Sequence, residues 1–113
     1  MELALAIPML PGKRPALEEL AKAIAGPRKK EFDASEKKFR IRKESWFLQS
    51  TPQGDLCIFY GEGDDVAKSV MEWAASKDPI DLWVKAQIKE ITGNDFSSLP
   101  AGAFPTELLR YGY

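Results

Sequence analysis

The chain contains no histidine among its 113 residues. Ser-His-Asp and Cys-His catalysis are therefore excluded, as is a metal or haem held by histidine. Any proton transfer must use carboxylates, lysine, tyrosine or water. Cysteine occurs once, so an internal disulfide cannot form. A lone thiol fits a reducing, cytoplasmic setting. Cys57 lies in an apolar strand pattern and reads as a buried, inert side chain, not a nucleophile. No window approaches the roughly 18 apolar residues of a membrane span. The opening MELALAIPML lacks a basic leader and a small-residue cleavage site, so a strand is expected there and not a signal peptide. The Gly-Glu-Gly at 61–63 lacks the rest of any nucleotide fingerprint. Neither a cofactor nor a metal is expected.

The net charge of −1 is unevenly spread. Residues 28–43 carry +5 and the remainder −6. A basic stretch of this kind reads first as a solvated helix face. The acidic remainder argues against a general nucleic-acid binder. No nucleic-acid or membrane partner is expected.

What the chain does have is doubly apolar patterning. At this length it is one domain. Residues 44–62, ESWFLQSTPQGDLCIFYGE, read as a β-hairpin around Thr51-Pro52-Gln53-Gly54-Asp55. Proline presets the first central position of a type I turn, and a glycine bulge follows. That register sets Trp46 opposite Tyr60, Leu48 opposite Ile58 and Ser50 opposite Leu56. The other face pairs Phe47 with Phe59 and Gln49 with Cys57. Both faces are mostly apolar, whereas a one-sided sheet alternates apolar with polar. One face should lie under helices and the other should meet a partner. The sequence does not say which.

Around the hairpin the remaining elements follow from spacing. Residues 2–10 form a strand with Leu3, Leu5, Ile7 and Met9 on one side and Ala4 and Ala6 on the other. Leu17, Leu20, Ala21 and Ile24 recur as one helical stripe. Gly26-Pro27 either kinks that helix or begins a second one, and the stripe resumes at Phe32 and Phe39. In phase, Arg28, Glu31 and Ser35 fall on the same stripe. They form a structural ion pair, edge a pocket or rotate into solvent. A helix over about 65–76 follows an Asp cap, with Val66, Val70, Trp73 and Ala74 inward. Asp78-Pro79 starts another, with Trp83 on its inner face, and Gly93 ends it. TELLRYGY, at 106–113, is a candidate closing strand.

This order is βαββαβ: an α+β, ferredoxin-like fold with an antiparallel sheet and a long first helix. Its uncovered sheet face would exceed the apolar patch that monomers tolerate, which predicts a homodimer through sheet faces. With LPGK at 10–13, GPR at 26–28 beside Glu31, LQSTPQGD at 48–55 and DPIDLW at 78–83, the chain resembles the dimeric α/β-barrel superfamily. More narrowly, it is similar to small uncharacterised bacterial proteins within it. That resemblance implies one domain over 1–113 whose homodimer forms an α/β barrel. It also implies one of several activities: cofactor-independent monooxygenases, lactone isomerases, haem-binding or haem-degrading enzymes, and stress-responsive proteins. The haem branches generally use a histidine, which this chain lacks.

The expected function is therefore small-molecule binding, as a cofactor-independent monooxygenase or isomerase of an apolar or aromatic substrate. The candidate catalytic residues are Arg28, to hold an enolate or anionic oxygen, and Glu31, as base if burial raises its pKa. Trp46, Gln49, Tyr60 and Trp83 would line the site. The alternative is a non-catalytic dimeric interaction module with a filled core.

Overall fold

A computed structural model describes residues 1–99 and 103–112. The elements are β1 (Glu2–Pro8), α1 (Arg14–Ala25), α2 (Lys29–Lys38), β2 (Ile41–Thr51), β3 (Gly54–Gly63), α3 (Val66–Ala75) and α4 (Pro79–Thr92). The three strands form one antiparallel sheet in the order β1-β3-β2. The expected strand in TELLRYGY is absent. Residues 106–112 form no strand, and Tyr113 lies outside the described residues. No described helix is long and apolar enough to cross a membrane.

The hairpin forms where expected, but one residue out of the expected register. Thr51 pairs with Gly54, so Pro52-Gln53 is a two-residue connection and no bulge follows it. The Thr51 hydroxyl accepts from the Gln53 N–H at 3.2 Å, which tightens the turn. Gly54 sits at φ 126°, a conformation that L side chains rarely adopt. Trp46 therefore faces Phe59, and Leu48 faces Cys57. Because side chains alternate along a strand, the shift moves all of β3 to the opposite face from that expected. Trp46, Leu48, Cys57 and Phe59 lie under the helices with Leu3 and Leu5. Phe47, Gln49, Leu56, Ile58 and Tyr60 share the outer face with Ala4 and Ala6. Phe47 there is 55% exposed.

Register shifts once more, where Ile41 pairs with Gly63 but Lys43 pairs with Glu62. Arg42 is the extra residue. Such a bulge re-aims its neighbours. Ile41 packs against the core, while Arg42 is exposed and pairs with Asp64 at 2.6 Å.

The first helix is two helices. The chain breaks at Gly26-Pro27, and α2 begins afresh at Lys29. Asp65 caps α3 by accepting from Lys68 N–H at 3.1 Å, and Gly93 ends α4 at φ 77°. The helices join the sheet through two apolar clusters. Met9, Leu17, Leu20 and Ile91 form one, and Leu3, Val66 and Val70 the other.

A buried polar knot ties the helices to one another. Asp81 is fully buried and accepts from Ser35 Oγ of α2 at 2.5 Å and from Ser76 Oγ, just past α3, at 2.6 Å. Lys85, one turn along α4, donates to the carbonyls of Trp73, Ala74 and Ser76 at 3.1, 2.8 and 2.9 Å. It thus adds a donor to the carbonyls at the end of α3, where Trp73 also accepts from the Ser76 N–H.

One close approach is set by a glycine. A Cβ on Gly63 would stand 2.6 Å from the Arg40 carbonyl oxygen, backbone against backbone. Arg40 itself holds a left-handed φ of 60° where α2 turns into β2. Gly63→Ala should therefore cost about 2 kcal/mol through overpacking. Urea denaturation checks this; an unchanged midpoint would show that the Arg40 corner gives way freely.

Candidate functional site

Two stripes bring acids to the core. On α2, Phe32, Ser35, Glu36 and Phe39 follow the i, i+3, i+4, i+7 spacing of one face. On β2, Glu44 alternates with Trp46 and Leu48 toward the same side. Glu36 and Glu44 therefore meet in a partly open cavity of about 90 Å³ between helices and sheet. Apart from Ser69, Thr92 and Cys57, the rest of its wall is apolar. Six aromatic rings contribute: Phe32, Phe39, Trp46, Phe59, Trp73 and Phe96. Trp73 and Phe96 lie with ring centroids 6.4 Å apart and tilted by 48°.

The two carboxyls lie close enough for each to shift the other's proton affinity. Burial, then the neighbouring Glu44 charge, pushes Glu36 up to about 10. Asp33 and Asp81 add to that push. Burial also raises Glu44, offset by hydrogen bonds from Glu36 and Trp46. Trp46 Nε1 donates to Glu44 Oε2 at 2.5 Å. At neutral pH Glu36 therefore holds its proton, while the hydrogen bonds that Glu44 accepts favour its ionised form against the burial that opposes it. Among the described residues, no lysine or arginine lines the cavity.

Such a pair offers a neutral O–H donor at Glu36 and, where Glu44 is ionised, a carboxylate acceptor beside it, the two partners that proton relocation requires. Cys57 also lines the cavity, and burial pushes its thiol up, which disfavours the nucleophilic thiolate. Among the described residues, no group of three or more acids, cysteines or histidines is arranged to hold a metal.

Of the residues expected at a site, the cavity takes Trp46 alone. Arg28 and Glu31 close on each other at 3.1 Å near the surface, as the ion-pair reading has it. The Arg28 guanidinium also lies 4.1 Å from the centre of the Trp83 ring, which packs against the first apolar cluster. Gln49 and Tyr60 stand on the outer sheet face, and the Tyr60 hydroxyl donates to Glu62 at 2.9 Å. Sequence reasoning passed over Glu36 and Glu44. The signal was present: one acid lies four residues after Phe32 and three before Phe39, and the other two before Trp46.

A second hollow, of about 590 Å³, lies at the α1–α2 break. It is open surface edged by Lys29, Lys30 and Lys37, all of them exposed.

No protein-family model, curated protein or solved structure matches this chain.

The carboxyl pair makes stability depend on pH with a definite sign. Glu36 binds its proton more tightly folded than unfolded. Its contribution is full below the ordinary glutamate range and is lost as pH rises toward about 10. Between the ordinary glutamate range and about 10 unfolding releases that proton, so stability falls by up to about 1.4 kcal/mol per pH unit. Glu36→Gln keeps a donor for Glu44 but cannot ionise. Melting temperatures from pH 5 to 9 should fall for the native chain and flatten for the variant; parallel curves would place Glu36 in water.

Proposed function

We propose that the protein is a homodimeric small-molecule enzyme, a cofactor-independent isomerase that moves a proton between two atoms of a small apolar or aromatic substrate. The observation that carries this reading is the Glu36–Glu44 pair opening into an apolar, aromatic cavity. Glu44, the carboxylate, takes a proton from a carbon of the substrate. Glu36, kept neutral by its surroundings, stabilises the electron pair released by donating a hydrogen bond. The proton then returns at another atom, and no oxidant or reductant is consumed. A monooxygenase would need the same base to ionise its substrate before oxygen reacts. The neutral donor beside the base favours isomerisation. Drug-sized ligands need roughly 300 Å³ or more, so a cavity of about 90 Å³ points to a substrate of at most about one ring.

The assembly belongs to the same proposal. Antiparallel strands in the order β1-β3-β2, with helices on one face, support a ferredoxin-like frame whose fourth strand is not formed. On the outer face Phe47 is exposed and Leu56, Ile58 and Tyr60 are half-buried, and the tail touches its edge through the Arg110–Glu2 ion pair. A second copy covering it with its own identical face would complete an α/β barrel. The competing reading, a dimeric interaction module without catalysis, draws on the small cavity and the closed Arg28–Glu31 pair.

Two measurements decide. In heavy water, with a panel of single-ring ketones, lactones and amines, the native chain should exchange substrate C–H for C–D. Glu44→Gln should slow that exchange about 10²- to 10⁴-fold. Absence of exchange across the panel sinks the enzyme and leaves the module. In light scattering the mass should be twice the 12.6 kDa of one chain, and Ile58→Asp on the outer face should halve it. A native mass of one chain at micromolar concentration rules out the dimer.

A further inference from the structure

The cavity carries charge of one sign only. Its wall holds Glu36 from α2 and Glu44 from β2, and among the described residues no cation from any element faces them. The other titratable group in the wall, Cys57 of β3, is held in its neutral form by burial. From α3 and α4 come Ser69 and Thr92, which are uncharged. Asp33 and Asp81, outside the wall, add further negative charge to the field at Glu36. The Trp46 N–H is already given to Glu44.

Three kinds of ligand fare differently in such a box. An anion would meet the carboxylate and the negative faces of aromatic rings, with no cation to receive it. A neutral molecule would gain apolar contact and leave the buried charge as it was. A monocation gains twice, because the carboxylate is a charge partner and ring faces attract positive charge. An ammonium ion also supplies the counter-charge that an ionised Glu44 lacks, since no cation among the described residues lines the wall.

We propose that the ligand of this cavity is a small primary amine, bound as its ammonium ion against Glu44 with its hydrocarbon body among the aromatic rings. The inference rests on the reading of the cavity as a ligand site and narrows the substrate of the proton transfer proposed there.

n-Butylamine, 1-butanol and butyrate are nearly equal in size and differ in charge at pH 7. Their binding to the native protein can be followed through the NMR signals of the indole N–H groups, which report Trp46 and Trp73 at the cavity and Trp83 outside it. Butylammonium should bind at least about tenfold more tightly than butanol and shift the Trp46 and Trp73 signals. Butyrate should show no saturable shift. In Glu44→Gln the preference for butylammonium over butanol should fall below about threefold. Butanol binding as tightly as butylammonium, or amine shifts confined to Trp83, would overturn the inference while the cavity stands as a site for neutral ligands. If none of the three binds, the inference falls together with the reading of the cavity.

Discussion

The two-residue connection at Pro52-Gln53 decides the side on which every residue of the hairpin lies. β3 is the central strand and pairs with both neighbours, so the parity set at this turn spreads across the whole sheet. Trp46, Cys57 and Phe59 face the helices because Thr51 pairs with Gly54. Glu44 faces the cavity beside them because it alternates with Trp46 along β2. Had the loop held three residues, the side chains of β3 would have exchanged faces. Ile58 and Tyr60 would then stand where Cys57 and Phe59 now meet the carboxyl pair. The strand lengths, the helix positions and the composition would be unaltered.

The molecule turns acids inward in two ways, Asp81 fully buried and Glu36 and Glu44 partly so, and the contrast separates structure from site. Asp81 is enclosed by hydroxyl donors from two other segments, and its neighbour Lys85 is spent on the carbonyls that end α3. Every group there has its partner, and what the knot achieves is a fixed relation between α2, α3 and α4. Glu36 and Glu44 are provided for differently. They have each other and one indole N–H, beside empty space and aromatic rings. An acid used only for packing could be replaced by glutamine or leucine at little cost, since a half-supported polar pair is worse than an apolar core. The retention of two titratable groups against a cavity therefore gives more reason to look for chemistry than the buried aspartate does.

Much of the fold was legible from spacing. The inward set of β1, the break at Gly26-Pro27, the Asp65 cap and the stop at Gly93 all follow from local patterns, and the structure shows each of them. The hairpin register was not legible, because a proline-led turn with a following glycine is compatible with loops of two or three residues. Nor was the candidate site. Arg28 and Glu31 drew attention by extending the stripe of α1 through the break. The break restarts the helix, so the stripe that enters the core is counted from Phe32 and carries Glu36. Glu44 was hidden for a different reason. An acid at the start of an amphipathic strand looks like a solvated end, and only the bulge at Arg42 keeps Ile41 and Glu44 on one side. The closing strand failed on tertiary grounds. Arg110 reaches Glu2 at the start of β1, but Leu108 stays 93% exposed and no ladder forms.

The two faces of the sheet are not independent. Each cavity residue on the hairpin is the chain neighbour of an outer-face residue: Trp46 of Phe47, Phe59 of Ile58 and Tyr60. Water now reaches the outer side of the strands that form the floor of the cavity. A second copy on that side would withdraw it and leave the strands dry on both faces. Burial is the largest influence holding both carboxyls above their ordinary range, and a drier floor strengthens it. The same change makes an uncompensated Glu44 charge more costly and a bound cation more valuable. Association and ligand binding would therefore be coupled through the dielectric of one shared sheet, without any movement of the backbone.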